Sequence, residues 1–202
     1  MIDTVIQQFQ GSSWLELVAV IFAIFYLVLA VRENSLCWYA AFISTSIFLV
    51  IFWQVKLYME SGLQVYYLAM AIYGWYEWTR GGTKHAGIAI TTWSSRTHVV
   101  VLFAIMAATL ISGQLLQTYS DAGLPYLDSF TTWASVVTTY MVAKKVLENW
   151  LYWLVIDSVA IYLYLDRELY YTALLFVAYV FIAIFGFFMW RREYRKSTIP
   201  HE

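Results

Sequence analysis

Apolar positions along this chain run in long, nearly continuous stretches, without the strict alternation of strands or the single stripe of a soluble helix. A bilayer core about 30 Å thick takes roughly 20 apolar residues per helix. Seven stretches of that order can be cut at the polar breaks: 14–31, 36–54, 60–79, 98–118, 128–145, 149–166 and 169–190. The longest polar interval, Arg80 to Thr97, contains Gly81, Gly82, Lys84 and His85. A second, Ser120 to Asp128, carries Gly123 and Pro125, and neither Pro125 nor Pro200 falls inside a span. Asp128 stands where an N-cap of the fifth helix is expected. The first fourteen residues hold no Lys or Arg, so no basic leader is expected and the first apolar segment should remain a span.

Composition points the same way. Of 202 residues, 62% are hydrophobic and 12% charged, against about 25% charged in a soluble domain. Such a chain cannot give itself a polar exterior, so its solvent is lipid. Aromatic residues reach 20%, with 10 Trp and 17 Tyr. They suit interfacial belts or ligand cages, and composition does not separate the two. A net charge of −1 gives no footprint for nucleic acid, and Cys37 as sole cysteine excludes an intramolecular disulfide. No phosphate-binding glycine loop or His-Glu-x-x-His motif occurs. The three histidines fall in a loop (His85), at the start of helix 4 (His98) and in the tail (His201), so neither a cofactor nor an enzyme is expected.

Orientation follows from basic residues on alternate sides. The N-terminus and loops 2–3, 4–5 and 6–7 hold only Lys56 and Arg167. The other side holds ten, among them Arg32, Arg80, Lys144, Lys145, Arg191 and Arg192. The positive-inside rule then expects the N-terminus outside and the C-terminus in the cytoplasm. Lys144, Lys145 and the basic tail read as topology determinants alone. Glu16, Glu77, Trp75, Tyr76 and Trp78 read as interfacial.

An internal repeat is also visible. Residues 33–38 read ENSLCW and residues 148–153 read ENWLYW. Further on, KLY at 56–58 meets ELY at 168–170, Gly74 meets Gly186, Trp78 meets Trp190 and Arg80 meets Arg192. The later matches share one spacing and the earlier ones differ by three residues, which implies a short gap in the middle helix of each unit. Two three-helix units, 14–79 and 128–190, are therefore expected around a linker helix at 98–118, followed by a tail at 191–202. Four crossings separate the units, so both enter the membrane in the same direction, an arrangement typical of small transporters.

Polar residues inside a bilayer call for a partner or a use. Asp157 lies nine residues beyond Glu148, near mid-membrane in helix 6. Asn149, Trp153 and Asp157 follow i, i+4, i+8 spacing and share one face. An amide, an aromatic ring and a carboxylate at increasing depth suit a flat organic cation. The bland alternative is an interhelical hydrogen bond from Asp157. Asn34 and Trp38, taken as repeat mates of Asn149 and Trp153, join the candidates. In helix 3, Gln64, Tyr67 and Trp75 form a second stripe with Tyr66 and Tyr73 beside it; substrate contact and helix packing are equally good readings for Gln64, while Tyr66 and Tyr67 also suit packing. The hydroxyl-rich fifth helix, Ser129 to Thr139, reads as close packing.

The runs LYMESGLQVYYLAMAIYGWYEW at 57–78, PYLDSFTT at 125–132 and KKVLENWLYWLVIDSVAIYLYLDRELYYTALLF at 144–176 resemble the PnuC family of vitamin transporters. The resemblance implies an all-α fold of seven transmembrane helices in a three-plus-one-plus-three arrangement, related to the sugar transporters called SWEETs, and a homotrimer. It also implies facilitated diffusion of nicotinamide riboside, thiamine or riboflavin, with trapping by a cytoplasmic kinase. Asn149, Trp153 and Gln64 match the family's substrate positions; at position 157 the family also carries Asn. An additional N-terminal helix of some members is not expected here. Nicotinamide riboside and thiamine are both flat cations and suit Asp157 better than neutral riboflavin, and nicotinamide riboside is the expected substrate. A membrane-embedded enzyme lacks a reactive cluster, and a purely structural subunit leaves the polar face of helix 6 without purpose.

Overall fold

The computed structural model describes residues 14–54, 58–82, 86–120, 123–166 and 170–198. Seven helices cover most of them: α1 Trp14–Val31, α2 Cys37–Gln54, α3 Tyr58–Arg80, α4 Ser95–Tyr119, α5 Pro125–Ala143, α6 Asn149–Asp166 and α7 Tyr170–Thr198. Lys56, Lys84, His85, Arg167 and His201, and most of the KLY and ELY match, lie outside the described residues. By length and composition alone, three helices among the described residues suffice to cross a bilayer, at Trp14–Val31, Ser95–Tyr119 and Thr172–Ser197. The others are richer in Trp, Tyr, Ser and Thr, which serve the interior of the bundle.

Helix ends follow local chemistry more than the apolar stretches do. The Ser94 side chain accepts the N–H of Thr97 at 3.2 Å, so α4 begins three residues before the expected boundary. Helix α5 begins on Pro125, whose missing N–H would have been unsatisfied at N1 anyway. Asp128 is therefore not the cap, because its own N–H already donates to Leu124 O at 3.0 Å. Helix α7 continues through the basic residues to Thr198, since charge ends a span but not a helix.

Helices α1 and α5 end alike. Asn34 N donates to Leu29 O and Glu33 N to Ala30 O, while Val146 N donates to Met141 O and Lys145 N to Val142 O. This is the Schellman pattern, whose left-handed residue is usually glycine. Here it is Glu33 (φ 53°) in one turn and Lys145 (φ 49°) in the other, each at a cost of roughly 1 kcal/mol.

These matching turns correct the expected repeat. One spacing of 112 residues relates Gly74 to Gly186, Trp38 to Trp150 and Glu33 to Lys145, with no gap. Trp150, not Trp153, is thus the mate of Trp38, and Cys37, not Asn34, is the mate of Asn149. Packing fixes this register. A Cβ on Gly74 would overlap the Trp38 ring, and one on Gly186 would overlap the Trp150 ring. The Glu-Asn pairs at 33–34 and 148–149 occupy different places in their turns.

Within each unit, consecutive helices pack together, α1 on α2 on α3 and α5 on α6 on α7. Between units, α3 packs on α5 and α1 on α7, a reciprocal pair under the same spacing. Linker α4 lays its backbone on α5, through a stripe of Ile105, Thr109 and Gly113, and reaches α6 through side chains, Ile105 clustering with Ile156 and His98 bonding the Tyr152 hydroxyl. The rest of α4, including Val99, Phe103 (74% exposed) and Ile111, is an apolar outer surface suited to lipid.

Candidate functional site

Helix α6 begins at Asn149, fully buried, whose Nδ2 donates to Val146 O at 2.6 Å. Its Oδ1 is enclosed without a partner, and a buried unpaired acceptor costs about 1–3 kcal/mol. One turn deeper, the half-buried Trp153 packs against two apolar clusters, one around Trp150 and one around Ile105, Ala134 and Ile156. Another turn on, Asp157 is 4% exposed, and among the described residues it has neither an ion pair nor a hydrogen bond. The structure therefore keeps these three side chains on one buried face.

On α3, Gln64 is buried. Tyr67 meets the Ser135 side chain of α5 and lies near Tyr164 of α6 and Tyr26 of α1. Tyr66 donates to Val136 O at 2.7 Å, tying α3 to α5. The backbones of α3 and α6 do not approach each other directly. Tyr26 and Ser135 were not singled out from sequence, because Tyr and Ser serve packing equally well.

Asn34 and Trp38 are placed elsewhere. Asn34 is exposed, and its Oδ1 accepts Leu36 N at 2.9 Å in a turn leading into α2. Trp38 is buried in an aromatic cluster at the end of the bundle that carries Arg80 and Arg192. There Trp38 meets Trp78 edge-on at 5.4 Å, Trp150 meets Trp190 edge-on at 5.4 Å, and Trp78 contacts Trp190 at 5.9 Å. Trp78 Nε1 donates to Val142 O at 3.2 Å and Trp190 Nε1 to Ala30 O at 3.1 Å, so each unit bonds the other's backbone. Trp78 is thus an interior residue and not part of an interfacial belt, because the last turn of α3 faces the opposite unit.

Lys144 and Lys145 do more than set topology. Lys144 Nζ pairs with Glu77 at 2.9 Å, and Lys145 Nζ with Glu33 at 3.0 Å. Hydrogen bonds to Tyr73 and Glu77 hold the Lys144 amine above the usual lysine range, fully protonated at neutral pH. Lys145 also lies 4.8 Å over the Trp78 ring. The loop after α3 straps this end of the second unit: Thr91 N donates to Lys145 O and Leu147 N to Thr91 O. Trp93 N reaches Glu148 Oε2 at 3.3 Å, and His98 Nδ1 shares a hydrogen bond with the Tyr152 hydroxyl. The constant spacing of the Trp and Gly positions was the signal in the sequence for this cluster.

Among the described residues no His, Cys, Asp or Glu groups in a way that holds a metal. What the α6 face offers is recognition: an unpaired acceptor, a ring and a carboxylate.

Comparison with known proteins agrees with this picture. The family described as nicotinamide mononucleotide transporter matches residues 13–192. The nicotinamide riboside transporter PnuC of Escherichia coli strain K12 is 26% identical over 220 aligned residues, covering 94% of this chain and 91% of the relative. The riboflavin/roseoflavin transporter RibM of Streptomyces davaonensis is also 26% identical, covering 95% and 91%. The crystal structure of the vitamin B3 transporter PnuC shares the fold, with a TM-score of 0.75 at 22% identity, over 96% of this chain and 88% of that one.

Proposed function

The chain belongs to the nicotinamide mononucleotide transporter family, and from that membership we propose that it carries a flat vitamin cation, nicotinamide riboside foremost, across the bacterial inner membrane. Asp157 carries the choice of cation. A carboxylate 4% exposed and without a partner among the described residues is costly when ionised in an apolar interior, and a cationic ring in contact with it removes that cost. Trp153 supplies a face for the ring and Asn149 Oδ1 an acceptor for a hydroxyl or amide donor. Gln64 and Tyr67 close the site from α3. Asn34 and Trp38 are left out of this site by their positions.

The reading extends to mechanism. Two three-helix units, residues 14–79 and 128–190, rock about the midplane site while helix 4 joins them. The family resemblance supports uptake by facilitated diffusion, with phosphorylation by a cytoplasmic kinase trapping the vitamin; accumulation driven by an imposed pH gradient in vesicles would replace this with a proton-coupled carrier. The basic end, with ten of twelve Lys and Arg, faces the cytoplasm, and three copies assemble, each with its own path. The similarity to RibM favours riboflavin as a second reading, and thiamine fits the cation chemistry.

Titration of the purified protein with nicotinamide riboside, thiamine and riboflavin, followed by quenching of Trp fluorescence, tests the reading. Nicotinamide riboside should bind saturably, and Asp157→Asn should weaken it about tenfold or more, the scale of a lost charged contact. Riboflavin bound equally well by both proteins, with no binding of either cation, would replace the cation site with a neutral-ring site.

A further inference from the structure

The contacts at the basic end form a closure with internal symmetry. Trp78 and Trp190, mates under the 112-residue spacing, each bond the backbone of the opposite unit, at Val142 and Ala30, which are mates too. Glu33 and Lys145 are a third pair of mates, and they bond each other at 3.0 Å. A residue meeting its own mate lies on the pseudo-two-fold axis, where the substrate path must run between parallel repeats. Both take a left-handed conformation that neither residue type favours, which a turn whose only role was to end a helix would meet with glycine. Lys145 is 8% exposed and sits over the Trp78 ring.

We propose that Glu33 and Lys145 are the latch of the gate at the basic end: the pair closes the path across the axis and separates each time that end opens. The proposal rests on the transport reading, but the first arm of its test, thiol modification, needs no substrate. Opening at this end must draw the Trp78 and Trp190 indoles off the opposite backbone. The charge pair adds attraction at contact range to the aromatic contact between Trp78 and Trp190, and is lost as soon as the two ends part. Lys144–Glu77 joins α3 to the end of α5 nearby and moves with that seam.

Cys37, the sole cysteine, reports on the latch. It is fully buried, next in sequence to Trp38, and close to Lys145 and Tyr26. Modification of the purified protein by N-ethylmaleimide should be slow in wild type and about tenfold faster in Glu33→Gln and in Lys145→Gln, the scale of one coupled charge pair. The exchanged variant, Glu33→Lys with Lys145→Glu, should return to within about twofold of wild type. Unchanged modification in both single variants, or an exchanged variant as fast as the single ones, overturns the latch. A second arm does not depend on the single variants folding. In a Cys37→Ala background, Glu33→Cys with Lys145→Cys, bridged by a bifunctional methanethiosulfonate that spans the length of the lost side chains, should lose uptake of nicotinamide riboside into proteoliposomes and regain it on reduction, and full uptake by the cross-linked protein overturns the proposal. Wild-type uptake and binding of nicotinamide riboside report separately on the transport reading.

Discussion

Gly74 and Gly186 show what single residues decide in this protein. Each stands where a tryptophan ring lies against the helix backbone, Trp38 in one unit and Trp150 in the other. A methyl group there has nowhere to go, because the ring is locked among other rings. Gly186→Ala should therefore destabilise the protein by about 2 kcal/mol, the usual scale of overpacking, measured as a loss of stability to thermal unfolding in detergent. Gly62, in α3 with no atoms near where a methyl group would stand, should accept alanine without loss and gain up to about 1 kcal/mol of helix propensity in the same measurement. Asn149 and Asp157 were legible in the sequence because an amide and a carboxylate in an apolar stretch always need explaining. Trp78 was not legible, because tryptophan suits an interfacial belt and a buried core equally well, and only the direction of the last α3 turn separates them. Asn34 misled for a related reason: Glu-Asn recurs at 148–149, but Asn34 is spent on the backbone N–H of Leu36.

Helices were easier to find than their ends. Bilayer thickness fixes span length, so each of the seven stretches corresponds to one helix, and α6 runs over 149–166 as read. The ends depend on capping, which apolar content does not encode. Ser94 begins α4, Pro125 begins α5, and a left-handed lysine ends α5 at Ala143. Ser94→Ala should cost about 1 kcal/mol and speed hydrogen exchange in the first turn of α4. The first turn of α5, which has no side-chain cap, should be unaffected, and an equal change in both turns would count against a local cap. The repeat register was misread at this scale, since a short match of letters was weighed above a spacing that glycine–tryptophan packing enforces.

At the scale of the whole molecule, the two units hold each other through reciprocal bonds. Symmetry makes a quantitative prediction. Trp78→Phe and Trp190→Phe each remove one indole N–H from a buried carbonyl of the opposite unit, so each should cost about 1 kcal/mol. The two losses should agree to within about 0.5 kcal/mol in detergent unfolding. A large difference would show that the strap from Thr91 to Lys145 and Leu147, which has no counterpart on the first unit among the described residues, carries much of the closure on one side. The three-plus-one-plus-three order was readable from parity and repeat, whereas the cross-unit bonding was not, because no pattern within one unit announces its partner in the other.

The Glu33–Lys145 pair has a consequence for how such a protein can arise. If the two units were separate copies of one short polypeptide, each would carry the same side chain on the axis, and it would face itself, acid against acid or base against base. Fusion through α4 frees the halves to diverge, and only then can the axis hold opposite charges. By that logic Lys145→Glu restores the electrostatics of an unfused ancestor: a pair of like charges that pushes the halves apart. The linker helix, whose backbone packs on α5, contributes less by what it contacts than by making the two halves unequal.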